Sequence, residues 1–237
     1  MNIDHPPYSA LLVAIPMLTA VIVPLVGMWK RSFVFPLVVA ALSACVFNSL
    51  ILTVGVMESG VVHYYMGGWT PPWGIAFRID SLSAMMEVLI SILALCVLIY
   101  SKKSAEQEIA GKETHFYSVY LLLITGLLGI VSTGDVFNLY VFLEISSITG
   151  YSLISLGNNK APFSTYRYLV VGTIGACFYL LGVGYLYSVT GSLNMEDLSR
   201  ILPELYGSKV ILVSFSFFML GTAIKMALFP VHFWLPD

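Results

Sequence analysis

Charge is the scarcest property of this sequence. Only 10% of its 237 residues are Asp, Glu, Lys or Arg, while 58% are hydrophobic. A soluble domain carries about 25% charged residues, enough to cover the surface it shows to water. This chain falls far short of that, so most soluble fold classes are excluded and an integral membrane protein is implied. With 11 Lys and Arg and a net charge of −2, no basic surface can be assembled, which argues against nucleic acid as a partner. Cysteine is sparse as well. Cys45, Cys96 and Cys177 each sit in a separate apolar run. They show neither metal-site spacing nor a disulfide framework, and they read as small buried hydrophobes. No glycine-rich phosphate loop and no Ser–His–Asp or His–Cys constellation stands out. The sequence therefore points to no cofactor, metal or redox centre on this chain.

What the sequence has is apolar runs of membrane-spanning length. They lie at 8–28, 33–57, 79–100, 114–134, 135–156, 166–189 and 209–231. About 20 helical residues cross a hydrocarbon core of about 30 Å. The expected fold is an all-α polytopic transmembrane helical bundle of about seven spans. The first run follows Asp4 and His5 rather than a basic segment, so it reads as a span and not as a cleaved leader. The long stretch from Phe116 to Leu156 divides at Ser132-Thr133-Gly134-Asp135, where Gly134 loosens the helix and a polar side chain can cap the next one.

Alternating spans place Lys30, Arg31, Lys102, Lys103, Lys112, Lys160 and Arg167 on one side, and Arg78, Arg200 and Lys209 on the other. The positive-inside rule puts the larger group in the cytoplasm, with the N-terminus outside and the C-terminus inside the plasma (inner) membrane. The outer loop 58–78 carries Gly67-Gly68-Trp69-Thr70-Pro71-Pro72-Trp73-Gly74, which favours turns or a short hairpin. The loop 190–208 is expected to hold a short surface helix capped by Ser192 or Asn194. The polar stretch 101–113 reads as an ordinary connection.

Most ionisable residues fall at span ends, where they reach headgroups at modest cost. Glu87, Glu144 and Lys225 do not. A charge near the bilayer centre costs several kcal/mol unless it is paired, hydrated or neutralised. Desolvation disfavours the charge on Glu144 and a nearby cation favours it, a balance suited to loading and releasing a proton. The competing reading is a carboxylate that packs helices by bonding Ser147 or Thr149. Lys225 precedes Pro230, which removes an amide donor to the Met226 carbonyl and so predicts a kink or break about one turn beyond the lysine. Carbonyls freed at such a break can line an ion or water path. Glu87 has Ser83 and Ser91 four residues to either side on its face, forming a polar stripe toward a path or a partner subunit. His232 follows the break and can pass protons or pair with Asp237. Asp80 is expected to cap the third span. Asp135 is expected to cap the fifth and to polarise a path entrance.

These residues resemble a known family. The carrying stretches are Ser132-Thr133-Gly134-Asp135-Val136-Phe137-Asn138-Leu139-Tyr140-Val141-Phe142-Leu143-Glu144, then Thr190-Gly191-Ser192-Leu193-Asn194-Met195-Glu196-Asp197-Leu198, and then 224–237 with Lys225, Pro230 and His232. Phe77-Arg78-Ile79-Asp80 is a weaker fourth. The sequence is similar to the antiporter-like, proton-conducting subunits of multisubunit cation/proton antiporters (the D-type above all), respiratory complex I and membrane-bound hydrogenases. The resemblance implies that a fifth-helix glutamate, matched by Glu144, pairs with a lysine of a broken seventh helix, matched by Lys225. Family members have about fourteen helices with two inverted repeats. By that pattern 1–113 forms helices 1–3 with the outer loop 58–78, and 114–237 forms helices 4–7 of the first repeat, lacking helix 8. The implied partners are other membrane subunits, including a chain supplying helices 8–14, with protons and, as a further candidate, sodium as the ions moved.

The function expected is that of a membrane subunit of a cation/proton antiporter or proton-translocating complex, working through a Glu144–Lys225 relay. The alternatives are a pumping module of an NADH–quinone oxidoreductase or hydrogenase complex, and a non-conducting assembly subunit.

Overall fold

Hydrocarbon offers no partner to a peptide N–H or C=O, so an apolar run long enough to cross it must satisfy its own backbone as a helix. The computed structural model describes residues 8–109, 111–157, 161–232 and 234. Lys160 and Asp237, invoked above for orientation and for pairing with His232, lie outside them. The helices are α1 (Tyr8–Trp29), α2 (Val34–Ser59), α3 (Ser81–Glu108), α4 (Glu113–Ser132), α5 (Val136–Ser155), α6 (Ala161–Thr190), α7 (Met195–Ile201) and α8 (Lys209–Lys225). Among the described residues α1 to α6 are long and apolar enough to cross a membrane. The chain has an all-α polytopic membrane fold.

Three expectations need correction. The stretch 101–113 is not a loop, because α3 runs on to Glu108; Lys102, Lys103, Glu106 and Gln107 are strong helix formers that extend the helix past its apolar part. The seventh span does not reach 231, since α8 has 17 residues and stops at Lys225. Only Cys45 is buried, whereas Cys96 and Cys177 are exposed. An apolar run in a membrane helix can turn a residue toward lipid as readily as toward protein.

The contacts divide the chain into two units, residues 1–64 with 77–133 and residues 65–76 with 134–237. In the first, α1 packs on α2 and α4, and α3 packs on α2 and α4. Leu12, Val38, Leu42, Leu98, Leu121 and Leu128 are fully enclosed there. The Tyr120 hydroxyl donates to the Ala94 carbonyl at 2.8 Å, tying α4 to α3. The loop of glycines, prolines and tryptophans follows a hairpin pattern, with β1 (Val62–Tyr65) paired to β2 (Ala76–Ile79). Asp80 caps α3 as expected, accepting from the Leu82 and Ser83 amides at 3.1 and 3.0 Å. The Ser83 amide, with smaller help from Arg78, holds this carboxyl below the usual carboxylate range.

In the second unit α6 packs on α5 and, most extensively, on α8. The α6–α8 contact is built on small residues, the device that lets membrane helices approach closely. A Cβ on Gly221 would lie 2.7 Å from the Tyr179 amide nitrogen and 2.8 Å from the Gly175 carbonyl oxygen. The Ser214 hydroxyl donates across the same contact to the Gly182 carbonyl at 2.7 Å. Asp135 caps α5 through the Phe137 and Asn138 amides. Asn194, rather than Ser192, caps α7 through the Glu196 and Asp197 amides. These two capping residues face each other in an antiparallel bridge, closed by Val136 N–H to Leu193 O and Met195 N–H to Gly134 O, both 2.9 Å. One short ladder therefore fixes two helix starts.

The end of α8 has a specific geometry. The Leu228 amide donates to the Ala223 carbonyl at 2.9 Å and the Ala227 amide to the Ile224 carbonyl at 3.2 Å, with Ala227 at φ 52°. This is the pair of bonds of a Schellman cap. The left-handed position is usually glycine, and a Cβ there costs about 1 kcal/mol. Ala227→Gly is expected to raise thermal stability, with a gain of up to about 1 kcal/mol; a melting curve of the purified protein in detergent checks it, and an unchanged or lowered midpoint counts against the cap.

Candidate functional site

The site in the second unit is assembled from two helices. Glu144 and Ser147 lie three residues apart in the middle of α5, so both side chains project from one face. Lys225 is the last residue of α8. Its Nζ donates to Glu144 Oε1 at 2.6 Å and to Ser147 Oγ at 2.8 Å. The pair is largely withdrawn from the surface, with side-chain exposures of 12% for Lys225 and 21% for Glu144. Placed 81 positions apart in the chain, they meet because α5 and α8 both pack on α6.

The end of α8 contributes beyond position. The carboxy-terminal end of a helix carries partial negative charge and favours a cation there by about 0.3–1 kcal/mol. The break falls at the lysine itself, not a turn beyond it, because the Schellman cap closes the helix at Lys225 ahead of Pro230. Three carbonyls just ahead of the break have backbone partners. Those of Thr222, Ala223 and Ile224 accept from the amides of Met226, Leu228 and Ala227, and the Trp234 indole also donates to Ile224 O at 3.0 Å. The lysine side chain adds a positive charge at this break. Aromatic packing brackets it. Trp234 stacks on Tyr168 with ring centres 4.3 Å apart, and Tyr168 meets Tyr151 edge-on at 4.4 Å.

Glu87 belongs to the first unit. Its side chain is fully buried, at 0% exposure. Ser132 Oγ lies 2.8 Å from Glu87 Oε1 and also 2.8 Å from the Leu128 carbonyl. A hydroxyl carries one proton. Either Ser132 donates to an ionised Glu87, or it donates to Leu128 O and accepts from a protonated Glu87. Both arrangements satisfy the geometry, so the site can hold one proton more or fewer. Glu87 Oε2 and Ser91 Oγ are buried without hydrogen-bond partners among the described residues. The sequence does not point to Ser132 as a partner; its position at the end of a span marks it only as a turn or cap residue.

The remaining candidates fall elsewhere. Asp135 is buried at the start of α5, where its carboxylate is engaged by two amides. His232 is exposed, beside the Phe229 ring at 5.6 Å, and among the described residues it forms no ion pair with Glu144 or Lys225. Ser147, one of the two hydroxyls the sequence offers to Glu144, instead joins Glu144 in accepting from Lys225.

Together these features define a multi-pass inner-membrane protein with an ion pair built into the end of a membrane helix. Residues 133–237 match the family described as "NADH:quinone oxidoreductase/Mrp antiporter, TM", and residues 70–103 match "NADH-Ubiquinone oxidoreductase (complex I), chain 5 N-terminus". The chain belongs to the family of antiporter-like membrane subunits found in multisubunit cation/proton antiporters and complex-I-like enzymes. It is 44% identical over 231 residues to NADH-quinone oxidoreductase subunit N of Desulforudis audaxviator, covering 96% of this chain and 46% of the relative. It is 36% identical over 189 residues to the D-type subunit of the Na(+)/H(+) antiporter of Alkalihalophilus pseudofirmus, covering 79% of this chain and 38% of the relative. A chain of the membrane-bound sulfane sulfur reductase, an archaeal respiratory membrane complex, superposes with a TM-score of 0.90 at 30% identity, covering 97% of this chain and 47% of that one. The chain thus spans about half the length of the curated relatives it matches.

Removing one member of a buried ion pair strands the other charge, and removing both does not. The double variant of Glu144→Gln with Lys225→Met is expected to destabilise the protein by less than the sum of the two single variants, with a coupling on the order of 1 to 3 kcal/mol. Unfolding of the four proteins in detergent measures it, and strict additivity contradicts the pairing.

Proposed function

We propose that this chain is a proton-translocating membrane subunit of a multisubunit cation/proton antiporter or related respiratory complex, and that Glu144 and Lys225 carry its proton step. The observation supporting this is the 2.6 Å contact, largely withdrawn from the surface, between Lys225 Nζ at the end of α8 and Glu144 Oε1. While paired, the ammonium is held by the carboxylate, the Ser147 hydroxyl oxygen and the helix terminus. When Glu144 is neutralised or withdrawn, the isolated ammonium loses its main compensation and yields a proton to the next acceptor, leaving a neutral amine. Return of the carboxylate charge draws a proton back. Glu144 thereby sets when Lys225 loads and releases.

In this reading Asp135 serves the relay indirectly, by fixing the start of the helix that carries Glu144. Glu87, with Ser132 as its exchange partner, is a second proton-holding carboxyl in the first unit, and His232 is a surface acceptor beyond the break. Residues 114–237 supply helices of the family's first repeat, and further helices of the family's length, with other membrane subunits, complete the path. The N-terminus lies outside and the C-terminus in the cytoplasm, following the excess of Lys and Arg on one side. The 44% identity to a subunit of an NADH–quinone oxidoreductase favours, as second reading, a module driven by electron transfer in other subunits.

Lys225→Arg separates a relay from a brace. Arginine keeps the charge and the pairing but does not release its proton. In the fully assembled complex, Lys225→Arg, Lys225→Ala and Glu144→Gln are expected to lower antiport or pumping roughly tenfold or more, with assembly unchanged. Full transport by Lys225→Arg overturns the relay.

A further inference from the structure

A second site lies in the first unit, and it is independent of the relay reading. Arg31, in the 3-10 turn Arg31–Phe33 between α1 and α2, shares a cavity of 430 Å³ with Lys102 and Glu106 of α3 and Glu113 at the start of α4. Two cations and two carboxylates line one space, yet no two of them are joined by an ion pair among the described residues. Lys102 and Glu106 have the i, i+4 spacing that ordinarily pairs. Instead the Lys102 ammonium sits over the Phe35 ring, 4.7 Å from its centre. The Glu113 Oε1 accepts from the Gly111 amide, at 2.9 Å. The charges are therefore arranged around the cavity rather than on one another.

Beside it is an apolar groove of 660 Å³ along Val26, Trp29, Phe33 and Leu37, edged by Lys30. Pro36 lines both spaces, so the polar cavity and the apolar groove adjoin. Trp29 is 93% exposed at the very end of α1, the position of an aromatic anchor at the headgroup level of a bilayer. A polar chamber of balanced charge opening on an apolar groove at that level has the form of a receptor for one lipid molecule.

We propose that this is a binding site for a phospholipid with a zwitterionic, primary-amine headgroup, phosphatidylethanolamine. The phosphate would lie against Arg31 and Lys102, where charge-assisted bonds from guanidinium and ammonium suit it. The ammonium, two carbons away, would meet Glu106 and Glu113, and the acyl chains would run in the groove. Charge selects among lipids. An anionic headgroup satisfies the two cations but leaves both carboxylates facing excess negative charge. A choline headgroup has no N–H to donate to them.

Native mass spectrometry of the protein in its membrane assembly, released from nanodiscs of equal parts phosphatidylethanolamine, phosphatidylcholine and phosphatidylglycerol, tests the site. One phosphatidylethanolamine is expected to be retained in preference to the others. Arg31→Ala with Lys102→Ala should reduce that retention about tenfold. Glu106→Gln with Glu113→Gln leaves the phosphate contacts in place, so it should keep a lipid bound while abolishing the preference for ethanolamine over glycerol headgroups. Preferential retention of phosphatidylglycerol by the wild type, retention indifferent to both double variants, or a protein segment filling the cavity in a structure of the assembly would each overturn the proposal.

Discussion

An ionised side chain in a hydrocarbon layer loses the solvation that makes it cheap in water, and the loss amounts to several kcal/mol for each charge. Everything notable in the second unit follows from meeting that cost. Lys225 is surrounded by a carboxylate, a hydroxyl oxygen and the negative end of its own helix. The first two come from α5 and the third from α8, so the two helices must be held in register. The small-residue contact between α6 and α8 and the packing of α5 on α6 do this. The ion pair and the helix packing are in this sense one structure. A charge that is expensive alone is stable only where neighbouring helices deliver its partners.

Helix ends are where this chain concentrates its polar chemistry. Asp135 and Asn194 each close the start of a helix with two amides and face each other across a short ladder. The other terminus of note, at α8, is closed by a Schellman cap with Ala227 in a left-handed conformation. It fixes where the helix stops, and so where the ammonium sits. Glu87 is a different case. It lies in the second turn of α3, is fully buried, and among the described residues has one hydroxyl partner and one oxygen without any. Among the described residues no cation pairs with this carboxyl, and reversing its single hydrogen bond to Ser132 would let it take a proton.

The sequence conveys the spans, the caps at Asp80, Asp135 and Asn194, and the two halves of the ion pair, because each rests on a local signal. These signals are an apolar run of set length, a short polar side chain before a helix, or a charge where none is cheap. Details set by three-dimensional closeness are harder to read. Nothing in the local pattern distinguishes Ser147 as a second acceptor for Lys225, or Ser132 as the partner of Glu87, since serine is common in membrane helices and bonds its own backbone as readily. The end of α8 differs from expectation for a related reason. Pro230 is the conspicuous breaker, but the helix is already closed by backbone bonds upstream that an alanine-containing sequence does not advertise. The extension of α3 through Lys102 and Glu106 to Glu108 is hidden when polarity is taken as a loop signal, because a helix leaving the membrane carries polar residues as a matter of course.

Under the proposed relay the Lys225 ammonium sustains the charge on Glu144, and on this the whole account turns. Infrared difference spectroscopy of the assembled protein, with Glu144 identified by subtraction of the Glu144→Gln spectrum, tests it at neutral pH with Lys225 present and with Lys225→Met. The account predicts an ionised carboxylate band in the first case and its replacement by a protonated carboxyl band in the second. An identical Glu144 band in both would show that the two side chains do not govern one another, and would contradict it.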